Sequence, residues 1–145
     1  MVIIKYVSFS YSFFILFSVT SSINFGLLVF LGIEKGDTQI NADKLAEKLA
    51  NLRIFEDENH KMNKSLLDVK GEMLIVSQFT LCGDCKKGTR PSFDKSAPPD
   101  IAKNLYRYFI EKINAYNVVA KTGQFGAMMD VELINDGPVT FMVEK

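Results

Sequence analysis

The chain has 145 residues, of which 48% are hydrophobic and 23% charged, a composition typical of a globular protein with a substantial core. Its 17 basic and 17 acidic side chains leave no net charge, which excludes a coat of nucleic acid over the whole surface but permits a local basic patch. Two cysteines and one histidine are too few for a four-ligand structural zinc site. We expect one domain spanning residues 1–145.

The first 25 residues permit two interpretations. An early lysine, an apolar run over residues 13–17 and small residues after it resemble a secretory signal peptide. The run is too short and too interrupted by serines to predict a membrane span. The β-branched and aromatic content of residues 2–7 and 11–20 equally suits two core strands. The local sequence leaves both interpretations open.

The next segments predict a strand followed by a helix. Residues 26–33 form a continuous apolar run, which predicts a buried strand. Residues 35–38 interrupt it, and apolar side chains then recur at helical spacing, with Thr38 or Asn41 as the N-cap. The apolar positions of this helix are Ala42, Leu45, Ala46, Leu49 and Leu52. Residues 55–63 are polar, so we expect a loop there.

The second half of the chain predicts a second helix among several strands. Residues 72–81 read as a strand, and residues 83–93 as a long loop. A helix begins near Pro98 and Pro99, residues suited to a first turn. Its expected apolar stripe is Ile101, Leu105, Tyr108, Phe109 and Ile113. The final strands are expected over residues 118–122, 128–134 and 139–143.

The strand predicted over residues 128–134 has one buried and one wet face. Its apolar side chains, Met129, Val131 and Leu133, alternate with Asp130 and Glu132. Together the elements predict a single α/β domain with mixed β-sheet layers and two main helices.

The stretch "SQFTL", residues 77–81, places polar side chains where a strand ends. Strand alternation would put Ser77 and Phe79 on one face and Gln78 and Thr80 on the other. Such residues are either the ordinary polar end of a strand or the start of a site. Thr80 would need a base to act as a nucleophile, and the sequence shows none.

Cys82 and Cys85 have the C-x-x-C spacing of thiol oxidoreductases. Those enzymes place the pair at a helix N-terminus, which lowers the thiol pKa. Here Gly88 and Pro91 follow and indicate a loop, so the redox interpretation is the weaker one. His60 lies in a polar segment with no second ligand or nucleophile near it in sequence, which indicates a solvated side chain.

Two further features have both a bland and a functional interpretation. Lys86, Lys87 and Arg90 form a basic cluster, which is either a solvated surface or a place where phosphates bind. In "LINDGPVT", residues 133–140, a strand-like run stops at Asn-Asp-Gly and resumes at a proline. Because proline is confined to strand starts, edges and bulges, this joint is either a plain turn or a functional part.

Four stretches of the chain, "GLLVFLGIEKGD", "SQFTL", "GTRPSF" and "TGQFGAMMDVELINDGPVT", together closely resemble the D-aminoacyl-tRNA deacylases. Two motifs carry most of the resemblance: Ser-Gln-x-Thr-Leu at residues 77–81 and Asn-x-Gly-Pro-x-Thr at residues 135–140. The resemblance is continuous over residues 26–143 and fades before residue 26. Because cleavage near Thr20 would remove two strands from the sheet, we expect an uncleaved cytoplasmic protein.

The resemblance implies the fold and activity of that family. It implies a homodimeric hydrolase without metal or cofactor, which cleaves the ester between tRNA and a D-amino acid or glycine. Its catalytic segment would be Ser77, Gln78, Phe79 and Thr80, with the N–H groups of Phe79 and Thr80 stabilising the oxyanion. The nucleophile is either Thr80 or a water assisted by the terminal 2′-hydroxyl of the tRNA. Since no base is evident for Thr80, we prefer the water.

The resemblance also assigns roles to the joint and to the segment before it, whereas the role of the basic cluster follows from its charge and its place beside the candidate site. Gly137 and Pro138 are expected to form a cis peptide that enters the partner subunit's site and rejects L-amino acids. The expected substrate pocket consists of Phe125, Ala127, Met129 and Asn135. The tRNA-binding residues are expected to be Lys86, Lys87 and Arg90. The alternatives are a thiol oxidoreductase using Cys82 and Cys85, or a tRNA-binding module without catalysis.

Overall fold

The computed structural model describes residues 2–8 and 19–145, with side chains described from residue 19 onward except those of Gly137 and Pro138. Its helices are α1 (Gln39–Asn51) and α2 (Pro99–Ala115). Its strands are β1 (Val2–Ser8), β2 (Phe25–Leu31), β3 (Phe55–Glu56), β4 (Met62–Lys64), β5 (Glu72–Ser77), β6 (Ala120–Thr122) and β7 (Asn135–Val143). A 3-10 turn follows β5 at Phe79–Cys82.

The main sheet is mixed and has the strand order β6-β5-β2-β1-β7. Strands β2, β5 and β6 are parallel, while β1 runs antiparallel to both of its neighbours. The prediction of an α/β fold with a mixed sheet and two main helices is therefore confirmed. The parallel strands bring their carboxyl ends to one edge, where Leu31 lies beside Ser77. In open α/β sheets this is the edge at which ligands bind.

Both helices pack on one face of the sheet and enclose the larger core. All but one of the apolar positions predicted for α1 are buried; Leu52, just past the end of the helix, is partly buried. The stripe predicted for α2 is wrong at one end, since Ile101 is 54% exposed. The same prediction missed Tyr106, which is only 3% exposed. A tyrosine enters this core because its hydroxyl donates to the Ile75 carbonyl at 2.7 Å.

The first of the two expected N-terminal strands is present. β1 pairs with β2 on one side and with β7 on the other, so it joins β7 to the rest of the sheet. The second expected strand, over residues 11–20, falls almost entirely outside the described residues. Within the described part of the chain, no helix is both long and apolar enough to span a membrane.

The prediction of a loop over residues 55–63 is wrong, because the hairpin of β3 and β4 begins at Phe55 and ends at Lys64. Its turn is organised by Asp57, whose carboxylate accepts the N–H groups of Asn59 at 2.8 Å and Lys61 at 3.1 Å. The same hydrogen bonds lower the pKa of Asp57. The polar composition thus reflected turn chemistry between two short strands rather than an irregular loop.

The prediction of a strand over residues 128–134 is wrong, although its alternation is correct. Met129, Val131 and Leu133 pack against Leu28 and Val76 on the sheet face opposite the helices. The segment has no strand partner among the described residues, so its apolar side is half-buried against the sheet without ladder hydrogen bonds.

The strand expected over residues 139–143 begins earlier, at Asn135, so β7 runs through the Gly137–Pro138 joint. Among the described strands β7 lies at the edge of the sheet, and its register against β1 shifts between Lys5 and Val7. Edges and bulges are the positions at which a sheet tolerates proline. The joint therefore lies at a register shift within strand β7 and not in a turn between two strands.

Candidate active site

The turn after β5 presents two adjacent backbone donors. The N–H of Gln78 donates to the Leu31 carbonyl at 2.9 Å, and the first hydrogen bond of the turn runs from the Leu81 N–H to the Gln78 carbonyl at 3.2 Å. The N–H groups of Phe79 and Thr80 precede that bond, as the first donors of any helical turn do. No described residue accepts a hydrogen bond from either of them. Such a pair is suited to an anionic oxygen.

Residues 77–80 include no basic side chain, and the side chains of Phe79 and Thr80 are accessible. Phe79 is 58% exposed, and Thr80 is also exposed. Gln78 Nε2 donates to Thr80 Oγ1 at 2.5 Å, and an amide nitrogen cannot accept the threonine proton. The face alternation predicted for residues 77–80 does not extend past Gln78, because the strand ends at Ser77 and the turn begins.

Three of the predicted pocket residues lie in one segment beside the end of β5. The Gly123 N–H donates to the Ile75 carbonyl at 3.2 Å and continues the pairing of β6 with β5. The Phe125 ring lies 5.5 Å from the Tyr106 ring, and the Met129 sulfur accepts the Gln124 N–H at 3.2 Å. Ala127 is exposed in the turn between them.

Asn135 and the Gly137–Pro138 joint lie elsewhere in the chain. Asn135 pairs with Val7, near the start of β2, whereas the Phe79–Cys82 turn follows the end of β5. With about 3.3 Å per residue along a strand and about 4.8 Å between strands, the joint is roughly 20 Å from the turn. One chain therefore does not bring them together. The predicted cis bond lies outside the described geometry and stays a prediction.

The basic loop, residues 83–93, is closed at its base by an antiparallel bridge. The Asp84 N–H donates to the Ser92 carbonyl at 2.7 Å, and the Ser92 N–H donates to the Asp84 carbonyl at 2.9 Å. Lys86, Lys87 and Arg90 are exposed at its tip. Within the described part of the chain, none of these three forms an ion pair, so their charges are available to phosphates.

The two cysteines lack the environment of a redox pair. Cys82 is 2% exposed, and its thiol donates to the Ile33 carbonyl at 3.5 Å. Burial raises the pKa of Cys82, which opposes formation of the reactive thiolate. Cys85 is exposed, and both thiols are free. This arrangement disfavours the thiol oxidoreductase interpretation.

His60 and the acidic side chains do not assemble a second site. The imidazole of His60 is exposed in the β3–β4 hairpin, with Nδ1 at 3.0 Å from Glu56 Oε2. This agrees with the expected solvated histidine. Among residues whose positions are described, no three His, Cys, Asp or Glu side chains form a group that could hold a metal ion.

One residue beside the candidate site, Phe93, is not among the residues predicted from the sequence. Phe93, at the end of the basic loop, places its ring 5.1 Å from that of Phe79 in an edge contact. The only signal was an aromatic residue just after the cationic cluster, in "GTRPSF". The sequence alone does not predict that Phe93 contacts Phe79, because the two residues belong to different segments of the chain.

Comparisons with known proteins agree on one family. A family model described as D-Tyr-tRNA(Tyr) deacylase matches residues 15–144. A relative from Thermosipho africanus, named D-aminoacyl-tRNA deacylase, is 60% identical over 120 residues, which are 83% of this chain and 80% of the relative. A relative of the same name from Geotalea daltonii is 61% identical over 123 residues, covering 85% and 82% of the two chains.

Solved structures share the fold. One named c-Myc DNA Unwinding Element Binding Protein has 35% sequence identity and a TM-score of 0.85, covering 99% of this chain and 97% of its own. Another, described as a probable eukaryotic D-amino acid tRNA deacylase, has 16% identity and a TM-score of 0.77, covering 99% and 98%. At that identity it supports the fold alone. With most of its length matched by the family model and by close relatives, the chain belongs to the D-Tyr-tRNA(Tyr) deacylase family.

Proposed function

We propose that this protein hydrolyses the ester bond of D-aminoacyl-tRNA and releases the free D-amino acid and tRNA. The observation that carries the proposal is the pair of N–H groups at Phe79 and Thr80, which lack an acceptor among the described residues. They lie at the carboxyl-end edge of the parallel strands, where a ligand is expected. Family membership and the relatives named D-aminoacyl-tRNA deacylase support the same activity.

The proposed chemistry relies on the main chain. An aminoacyl ester is an activated carbonyl, so positioning and stabilisation of the developing oxyanion supply much of the catalysis. Water adds to the carbonyl carbon, and the bond to the ribose oxygen then breaks as that oxygen takes up a proton. Because Thr80 Oγ1 has only the Gln78 amide as its partner among the described residues, the terminal 2′-hydroxyl of the tRNA assists the water.

Chirality is selected by Gly137 and Pro138 from a second copy of the chain. The separation of roughly 20 Å between the joint and the turn within one chain supports this assignment. With a cis peptide, both carbonyls face the α-carbon of the substrate and occupy the space of an L-side chain. Glycine has no side chain and is cleaved. A measured ω angle near 180° at this bond would contradict the arrangement.

The remaining assignments extend the same site. Phe125, Ala127 and Met129 line the substrate pocket beside β5, and Asn135 contributes from the strand that carries the joint. Lys86, Lys87 and Arg90 bind tRNA phosphates, a role supported by their exposure and by the lack of an ion pair to any described residue. The cytoplasmic location expected from the sequence stays a prediction.

The activity is tested by incubating the protein with D-tyrosyl-tRNA, glycyl-tRNA and L-tyrosyl-tRNA and following loss of the aminoacyl group. We expect the first two to be deacylated and the third to persist. A tRNA-binding module without catalysis would bind all three and leave the esters intact. A thiol enzyme would lose its activity when Cys82 and Cys85 are both replaced by serine, which the proposed mechanism tolerates.

A matched pair of substitutions tests the oxyanion donors. Phe79→Pro removes the backbone N–H at the first position of the turn, where proline suits helical geometry. Phe79→Ala removes the same ring but keeps the N–H. We expect Phe79→Pro to lower kcat by a further factor of about 100 to 1,000 relative to Phe79→Ala. Equal rates for the two variants would remove Phe79 N–H from the mechanism.

A further inference from the structure

The basic loop packs against the Phe79–Cys82 turn through an aromatic contact. The ring centroids of Phe93 and Phe79 lie 5.1 Å apart at an interplanar angle of 62°. An edge-to-face arrangement of this kind stabilises an aromatic pair by more than the burial of its surface area alone. Phe79 also carries one of the proposed oxyanion donors. The contact therefore joins the last residue of the loop to a residue of the proposed site.

Gly83 allows this close approach. A Cβ built on Gly83 would lie 3.0 Å from the Phe93 ring and 2.9 Å from the Thr80 carbonyl oxygen. The same carbonyl accepts the Gly83 N–H at 3.1 Å. The start of the loop is thus held between the end of the turn and the Phe93 ring, in a space that admits only glycine without movement.

The chain after Phe93 is anchored as well. The Phe93 carbonyl accepts the Ser96 N–H at 2.9 Å, and the Ala97 N–H donates to the Ile33 carbonyl at 3.0 Å. Lys35 N–H donates to the Lys95 carbonyl at 2.8 Å. These bonds attach the loop's exit to the segment that follows β2. With the Asp84–Ser92 bridge, they leave the cationic tip projecting from a fixed base.

We propose that Phe93 is a positioning residue that sets the spacing between the cationic tip and the oxyanion donors. This inference rests on the proposed function. In a tRNA substrate the phosphates and the terminal ester are joined covalently, so the loop and the turn must engage them at a matching distance. A loop released from the turn would still bind phosphates, but only a fraction of the bound complexes would place the ester correctly.

The test compares Phe93→Ala with Phe93→Tyr, which keeps the aromatic ring at a residue that is 37% exposed. Three quantities are measured: kcat on D-tyrosyl-tRNA, Kd for uncharged tRNA over a range of salt, and kcat/KM on 3′-O-D-tyrosyl-adenosine, which has no phosphates. For Phe93→Ala we expect kcat on the tRNA to fall about ten-fold or more. Kd, its salt slope and turnover of the adenosine ester should change by less than about two-fold. Phe93→Tyr should match the wild type.

Control variants separate positioning from general damage. Ile101→Ala truncates an exposed apolar residue on α2 and should leave all three quantities unchanged. Phe93→Leu keeps apolar volume without the ring and replaces Phe93→Ala if that variant is too unstable to purify. It should likewise show a lower kcat on D-tyrosyl-tRNA, with Kd and turnover of the adenosine ester nearly unchanged. Thermal unfolding of each variant is followed in parallel.

Several results would overturn the inference. One is unchanged kcat on D-tyrosyl-tRNA for Phe93→Ala; another is an equal loss on the adenosine ester, which would make Phe93 a support of the turn alone. A loss of tRNA affinity with kcat intact would make it a binding residue. All of these require an active wild-type protein. Failure of the wild type to deacylate D-tyrosyl-tRNA would instead refute the proposed function.

Discussion

Thr80 combines a proposed oxyanion donor in its main chain with a hydroxyl in its side chain. The hydroxyl oxygen accepts from Gln78 Nε2 at 2.5 Å, and the side chain is exposed at the end of the sheet. A threonine acts as a nucleophile when a neighbouring base removes its proton. The described partner of the hydroxyl is the Gln78 amide, which is a donor and not a base. Thr80 is therefore expected to contribute to catalysis through its backbone N–H.

The first prediction concerns Thr80→Ala. This change keeps the backbone N–H and removes only the hydroxyl, so we expect kcat on D-tyrosyl-tRNA to fall by less than about ten-fold. Thr80→Ser serves as the control, because it retains a hydroxyl without the methyl group. A loss near a thousand-fold for alanine but not for serine would identify the hydroxyl as the nucleophile.

The second prediction, at the same scale, concerns Tyr106. Burial raises its pKa to about 12, so the phenol stays neutral in the native state while the unfolded chain ionises from about pH 10. Because the native pKa is the higher one, this contribution to the free energy of unfolding is complete below pH 10 and declines as the pH rises towards 12. The full decline is about 3 kcal/mol.

Tyr106→Phe provides the measurement. At pH 7 we expect the free energy of unfolding to fall by about 1 kcal/mol, the net value of one hydrogen bond. The loss stays this small because the Ile75 carbonyl still accepts the Gly123 N–H and is not left without a donor. Urea unfolding between pH 9 and 11.5 should show a shallower decline for the variant than for the wild type. Identical slopes would show that Tyr106 does not titrate between the two states in that range.

At the scale of elements, the carboxyl ends of β2, β5 and β6 and the basic loop form one side of the molecule. The parallel strands bring the Phe79–Cys82 turn beside the 123–129 segment, and the loop leaves directly from that turn. The charged tip is therefore attached to the site by short backbone connections. Under the proposed function, the tip would hold the tRNA while the turn holds the ester.

The third prediction separates these two elements. Replacing Lys86, Lys87 and Arg90 together with alanine should weaken tRNA binding. It should also reduce the slope of log K against log salt by an amount that corresponds to the loss of up to about three phosphate contacts. Turnover at saturating substrate should change little, because the turn is untouched. For Phe93→Ala we expect the reverse, a fall in kcat with tRNA affinity nearly unchanged. An unchanged salt slope would return the three residues to a solvated surface.

At the scale of the whole molecule, one chain holds the two parts of the proposed site far apart. The Phe79–Cys82 turn and the Gly137–Pro138 joint lie roughly 20 Å apart, at different ends of the sheet. The 128–134 segment adds a strand-like stretch without a strand partner among the described residues, and Met128 and Ile134 at its ends are exposed. Two copies related by a two-fold axis would each complete the other's site.

The fourth prediction tests this by complementation. A Phe79→Pro chain and a Gly137→Val chain should each be nearly inactive on D-tyrosyl-tRNA. If the site is shared, co-refolding them in equal amounts forms mixed dimers in which one of two sites has both intact parts. Activity should then reach about a quarter of the wild-type value. No recovery, in a mixture shown to contain mixed dimers, would place both parts in one chain.

The sequence by itself determined the parts whose signal is local. Helical spacing identified α1, and the alternation at residues 129–133 identified which side chains face the sheet. The residue types of "SQFTL" and the basic loop marked candidate sites before any neighbour was known. Periodicity encodes burial because each element must turn its apolar face to the core, whatever its partner is.

Only the tertiary structure decided which elements meet. The hydrogen bond that brings Tyr106 into the core joins residues 31 positions apart, and the Phe93–Phe79 contact depends on how the loop folds back. The strand order decided that 128–134 crosses a sheet face and that the joint lies far from the turn of its own chain. Local patterns do not encode these outcomes, because strand pairing and register are set by long-range contacts whose partners the sequence does not name.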